Sequence, residues 1–189
     1  DWVSYFSDEE LSELFKSYKP YTPTVAQLWE HQNYEDRLLK SSIVDLKTFL
    51  PNNLLYYGDI MSMANSFEVR FPLIDHKIIE FMTSLPTNIR IKEGKTKYIV
   101  KKLLEGKVPD RIINKPKLGL NPPMGIWLKK DLDHFIQDHL SRRCIKRREL
   151  FNPSYIEKIQ EEHRTGKRDR SLYIWGLIVL EEWFRQYID

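Results

Sequence analysis

A chain of 189 residues is long enough to bury a core and suggests one domain or a large piece of one. Its 30 lysines and arginines against 27 acids leave a formal charge of +3, too mild to demand nucleic acid, while 41% hydrophobic and 13% aromatic residues exclude a disordered chain. The single cysteine, Cys144, excludes an intrachain disulfide framework and a cysteine-built metal cluster, and fits a reducing compartment.

The pattern is helical almost throughout. Ser7-Asp8-Glu9-Glu10 predicts an N-cap followed by acids that suit the helix dipole, with Leu11, Leu14 and Phe15 as the buried face. Pro20 and Pro23 end that helix, and Thr24 is placed to cap the next, which carries Leu28 and Trp29. A longer helix is expected from Tyr34 to Phe49, another opened by Pro51 through Leu54, Leu55, Ile60 and Met63, then short ones over Asp75 to Ser84 and Gly94 to Leu104. From Pro109 to Pro123 four prolines and nearby glycines predict a stiffened loop, a kind of segment that tends to be functional. Helices resume over Trp127 to Leu140, Pro153 to His163 and Ser171 to Tyr187. In the last, the stripe Leu172, Trp175, Val179, Trp183, Tyr187 predicts the core-facing side. The longest unbroken apolar run, Ile174 to Leu180, is far short of a membrane span, and no signal peptide opens the chain. No alternating run predicts a strand, so the chain is expected to be mostly α.

Little of the chemistry is self-evident. The five histidines are scattered and no pair has the i, i+4 spacing of a helical zinc site, which predicts surface or helix-packing roles and no metal site. The seven glycines form no phosphate cradle. The basic run Arg142 to Arg148 is either a solvated helix end or a grip for phosphates, and the lack of interleaved aromatics favours the former. In the segment Asp59 to Asp75, the charges Glu68, Arg70 and Asp75 stand in small and apolar text, where an unpaired buried charge costs on the order of 3–5 kcal/mol. They constitute either a structural lock between helices or the edge of a site. Lys115 and Lys117, on the proline- and glycine-stiffened loop Lys115 to Trp127, are either solvated or hold ammonium groups at a fixed point over a cleft, where they could stabilise charge in a phosphoryl or adenylyl transfer.

Taken together, these two segments carry a resemblance. The order Asp-x-Met-Ser-Met-Ala-x-Ser-x-Glu-Val-Arg-x-Pro-x-x-Asp-His from Asp59 to His76 resembles the synthetase domain of glutamine-dependent asparagine synthetases. So do Ser84-Leu85-Pro86, Gly94-Lys95, Val108-Pro109, Lys115-Pro116-Lys117-Leu118-Gly119-Leu120 leading to Trp127-Leu128, and the closing Leu172-Tyr173-Ile174-Trp175 with Trp183. The resemblance implies the helical C-terminal part of an α/β ATP-pyrophosphatase-type (adenine nucleotide alpha hydrolase-like) synthetase domain. It further implies a cytoplasmic ligase in which ATP, with Mg2+, adenylates aspartate to β-aspartyl-AMP and releases pyrophosphate. Ammonia, freed from glutamine by a separate glutaminase domain, then displaces AMP. Lys117 matches the family's lysine near the phosphates and is the expected catalytic residue. Glu68, Arg70 and Asp75 are expected to scaffold the substrate and ATP site, with weaker parts for Asp59 and Lys97.

Departures from the family pattern are mild: Leu73-Ile74 and Leu120 stand where phenylalanine-containing text is commoner. The Ser-Gly-Gly-x-Asp-Ser pyrophosphate loop, the Gly-Glu-Gly-x-Asp-Glu stretch and an N-terminal cysteine are not in this sequence, which opens at Asp1 rather than methionine. The 189 residues are therefore expected to be a fragment, inert alone and with an apolar face where the rest of the domain belongs. No nucleic-acid or membrane partner is expected, and the resemblance leaves room for a homodimer. Two other readings stay open: a related amidotransferase acting on a sugar or peptide acid or closing a β-lactam, and a non-catalytic helical interaction module.

Overall fold

The computed structural model describes residues 5–116 and 122–189. Among the described residues the chain is helical, with no strand longer than the isolated bridges Phe15–Phe151 and Lys92–Lys95. It divides into two units, one formed by residues 1–20 and 118–189 and the other by residues 21–117.

Helix α1 (Asp8–Leu14) opens the first unit with the predicted signals. The Ser7 hydroxyl accepts from the Glu10 amide while the Glu10 carboxylate accepts from the Ser7 amide, a reciprocal capping box. Leu14 is buried, Leu11 and Phe15 pack against the core, and the Lys16 amide donates to the Leu150 carbonyl.

The second unit carries α2 to α8. In α2 (Thr24–Glu30) Thr24 is the first helical residue rather than the cap; Pro23 precedes it without a side-chain bond. Helix α3 (Arg37–Lys47) is shorter than the expected Tyr34–Phe49 because Asp36 caps it, accepting from the amides of Leu38 at 2.8 Å and Leu39 at 3.1 Å. The same carboxylate takes a hydrogen bond from buried Arg90, tying together residues 54 apart in sequence. Pro51 lacks an N–H, and the run Leu50–Leu55 winds as one π-helical stretch before α4 (Tyr56–Met63) continues it. A 3₁₀ turn (Pro72–Ile74) leads to α5 (His76–Ser84), α6 (Thr87–Arg90), α7 (Tyr98–Leu104) and α8 (Asp110–Ile113). The helix expected from Gly94 starts four residues later, since Glu93, Gly94 and Lys97 all have positive φ and no helix can pass through them. Helix α8 interrupts the loop expected from Pro109.

This unit is thinly packed. Val44 and Arg90 are its buried residues among those described, whereas Leu54, Tyr57, Met61, Phe67, Leu73 and Phe81 are exposed.

The rest of the first unit is α9 (Met124–Trp127), α10 (Asp133–His139), α11 (Arg142–Arg148), α12 (Pro153–Arg164) and α13 (Ser171–Tyr187). The single helix expected over Trp127–Leu140 breaks in two, because the polar stretch Lys129–Asp131 puts nothing into the core and the Leu132 amide folds back to the Trp127 carbonyl. Leu128, Ile136, Ile145, Ile156, Ile159 and Ile174 form the centre of the core. The basic run of α11 is largely the solvated helix end expected, with Arg142, Arg143, Lys146 and Arg147 exposed, though Arg142 and Arg148 hold ion pairs to other helices. Arg142 donates to Glu157 at 2.7 Å, and Arg148 lies almost fully buried between Glu181 and Asp189.

Helix α13 has the predicted ends but the opposite face. The stripe expected in the core is exposed, Val179 at 49% and Trp183 at 46%, while Ile174, Leu177, Ile178 and Glu181 are buried. Both sides of this helix are apolar, so periodicity cannot choose between them, and a helix apolar all round is one that is covered all round. The packing here predicts that Ile174→Val costs about 0.5–1.5 kcal/mol. Val179→Ala should change stability by no more than about 0.5 kcal/mol. Urea unfolding of the two variants checks this, and the reverse ranking would restore the sequence-based stripe.

Candidate functional site

The residues matched to the synthetase site lie in the second unit, and each has a local role. Glu68 and Arg70 pair with one another directly after α4, and both side chains are largely exposed rather than locked between helices. Asp75 caps α5, its carboxylate accepting from the Lys77 amide at 2.9 Å. Asp59 sits in the first turn of α4 and is exposed; its backbone carbonyl accepts from the Ser62 hydroxyl. Lys97, exposed, precedes α7 with φ +57°. The structure thus brings Glu68 and Arg70 together, while Asp59, Asp75 and Lys97 carry no ion pair to them among the described residues. Lys117, the residue expected to do the chemistry, lies outside the described residues.

What the sequence did not flag is a chain of buried polar groups at the α12–α13 connection of the first unit. Arg170, 3% exposed, donates to Glu10 of α1 at 2.6 Å and to Glu162 of α12 at 2.8 Å, and its guanidinium lies over the Tyr173 ring. Burial alone would push Glu10 up, and the hydrogen bonds from Arg170 and Ser7 more than reverse that, holding it below the usual carboxylate range. One residue before Arg170, the Asp169 carboxylate accepts from the Ser171 amide at 2.9 Å, which starts α13 and holds Asp169 below the usual range as well. Beside it, buried His163 accepts at Nδ1 from the Arg170 amide, 3.3 Å away, and stands 3.4 Å from an Asp169 oxygen. Burial pushes the His163 imidazole down, against the pull of Asp169. Its Nε2 is buried without a hydrogen-bond partner, and the Gly125 backbone faces the ring. These groups stand up to 160 residues apart in sequence, so no spacing signal could have found them.

A second cluster closes the C-terminal end. The Glu181 carboxylate, 5% exposed, receives Arg148, Arg185 and the Cys144 thiol. His139, also buried, meets Glu182 at 2.9 Å through Nε2 and the Phe135 carbonyl at 3.0 Å through Nδ1. Among the described residues no three His, Cys, Asp or Glu side chains converge to hold a metal ion, and no helix is long and apolar enough to cross a membrane.

Comparisons with known proteins agree with the ordered motifs. The family model for asparagine synthase matches residues 4–185. Asparagine synthetase [glutamine-hydrolyzing] 1 of Bacillus subtilis (strain 168) is 29% identical over 182 residues, covering 94% of this chain and 28% of that protein. A putative asparagine synthetase [glutamine-hydrolyzing] of Mycobacterium bovis is 26% identical over 187 residues, covering 97% of this chain and again 28% of the relative. Amidase chyE of Penicillium rubens is 33% identical over 88 residues, 43% of this chain and 13% of its own length. No solved structure gives a significant match. The helices and the matched motifs define a helical piece of an ATP-pyrophosphatase-type synthetase domain. Within that class, the chain belongs to the asparagine synthase family. It spans a little over a quarter of the length of the curated relatives it matches over most of its own.

Proposed function

We propose that this chain is the C-terminal helical portion of the synthetase domain of an ATP-dependent amidoligase that makes asparagine from aspartate and glutamine-derived ammonia. The observation that carries the reading is the family match over residues 4–185, together with the Pro-Lys-x-Gly text at Lys117 in its expected place after Val108-Pro109. The uncovered apolar side chains of the second unit and the doubly apolar α13 support a piece that packs into a larger domain.

In this reading ATP transfers AMP to the aspartate side chain and pyrophosphate leaves. Ammonia then attacks the acyl carbon and AMP departs with the electron pair of the broken acyl–oxygen bond. The Lys117 ammonium stabilises negative charge on phosphate oxygens as it develops. Glu68 and Arg70 border the substrate, and Asp75 acts through the α5 start it caps. ATP arrives with Mg2+, and since the described residues offer no ligand set, no step is assigned to the metal.

A second reading, an amidotransferase for another carboxylate, draws on the likeness to the Penicillium amidase. One experiment separates the two. The protein that carries this chain is incubated with ATP, Mg2+, ammonia and either aspartate or a panel of sugar and peptide acids, and pyrophosphate and amide products are quantified. Aspartate-dependent pyrophosphate and asparagine are expected; release with another acid alone supports the second reading, and release with none removes both. The isolated 189 residues are expected to release no pyrophosphate above background, and turnover by them would overturn the assignment of the nucleotide site to other parts of the protein.

A further inference from the structure

We propose that Asp169 and His163 are positioning residues for the lysine loop, clamping its C-terminal foot at Gly125. The inference deepens the reading above and rests on it for its catalytic consequence, but the clamp stands on geometry of its own.

Gly125 lies eight residues after Lys117, in the first turn of α9 and next to the Pro122-Pro123 pair that ends the loop. A Cβ on Gly125 would come within 3.3 Å of one Asp169 oxygen and 3.6 Å of the other, so the carboxylate lies flat against the bare α-carbon. A side chain here would force the carboxylate to give by a few tenths of an ångström. The wall it meets does not yield easily. Asp169 is held by the Ser171 amide, and the next residue, Arg170, is fixed by Glu10 and Glu162. On the other side the His163 ring accepts from the Arg170 amide, which leaves Nε2–H as its remaining donor. That buried nitrogen has no partner, and the Gly125 backbone is the polar group facing the ring. Downstream, Leu128, 1% exposed, seats the end of α9 in the core. The foot is therefore gripped from two sides by α12, α13 and their connection. A displacement of about 1 Å in a catalytic group can cost on the order of a hundredfold in rate, which is why such a grip matters to a lysine eight residues away.

The test uses the whole protein that carries this chain, with variants G125A, D169A and D169N. Asparagine keeps both the shape of the wall and the acceptor for the Ser171 amide. Below the melting temperature of each variant, G125A and D169A are expected to lower kcat for aspartate- and ammonia-dependent pyrophosphate release by about tenfold or more, with the KM for ATP within about threefold and D169N close to wild type. Amide exchange over residues 124–128 is expected to quicken about tenfold in G125A and D169A. Unchanged kcat in both variants overturns the positioning role, since a merely stabilising contact would move the melting temperature alone. Should D169A fail to fold, G125A leaves the Asp169 cap on α13 in place and decides by itself. A wild-type protein without amidation removes the functional reading, and the exchange arm then decides the clamp: unaltered exchange at 124–128 overturns it.

Discussion

On the function proposed above, Lys117→Ala is expected to abolish ATP-dependent synthesis in the protein that carries this chain and to leave glutamine hydrolysis at its wild-type rate. The split follows from where charge develops. In that reading glutamine hydrolysis belongs to a separate glutaminase domain, where no phosphate charge changes. The proposed adenylation and amidation steps move negative charge onto phosphate oxygens, and the residue proposed to answer that charge is Lys117, whose segment the sequence flanks with Pro116, Pro122 and Pro123. Removing one preorganised donor of this kind costs about 10²–10³-fold in kcat, enough to push synthesis toward background. Lys117→Arg is expected to restore little, because a guanidinium is a broad planar fork and not the compact point charge of an ammonium. Coupled assays of pyrophosphate release and glutamate formation on the same preparation check both halves. Asparagine formation at the wild-type rate by the alanine variant would take Lys117 out of the mechanism.

What the sequence made legible is what local rules decide. The capping box at Ser7, the opening of α12 at Asn152-Pro153 and both ends of α13 are set by residues within one turn, and they stand where the pattern puts them. Positions that depend on a partner far along the chain are not legible in this way. The stripe of α13 obeys the helical period as well as the face that is buried, and what selects between them is the core supplied by α9 to α12. A lone acid on the buried face looks like a solvent-facing residue until Arg148 and Arg185 are placed beside it. The candidate site shows the same division. Lys117 and the Glu68–Arg70 pair are visible as ordered motifs, which is how the resemblance arises. The grip on Gly125 is built from His163, Asp169 and Arg170, none of which has any spacing relation to the loop.

Glu181→Gln is expected to be among the most damaging single substitutions in the first unit, lowering the unfolding free energy by about 3–5 kcal/mol, because it strands a buried guanidinium rather than merely deleting a bond. Arg148 donates to Glu181 through Nε at 2.7 Å and through an NH2 group at 3.0 Å, and its side chain is 9% exposed. Arg185 and the Cys144 thiol converge on the same carboxylate at 3.1 Å each. Burial alone would push Glu181 up; the hydrogen bonds from Arg148, Cys144 and Arg185 outweigh it and hold the carboxyl down to about 2, against an ordinary 4.5. The unfolded chain therefore binds this proton more readily than the folded one. The stabilisation, on the order of 3 kcal/mol, is complete above pH 4.5 and is lost as pH falls from there toward about 2. Urea unfolding of the wild type at a series of pH values should show that decline, and in Glu181→Gln its amplitude should shrink, since the amide has no proton to take up. Arg147 provides the control: it is 60% exposed and 3.5 Å from the same carboxylate, and its replacement by alanine is expected to cost no more than about 1 kcal/mol. An equal loss from Arg147→Ala and Glu181→Gln, or an acid decline that survives intact in Glu181→Gln, would mean that the fold does not depend on this buried carboxylate.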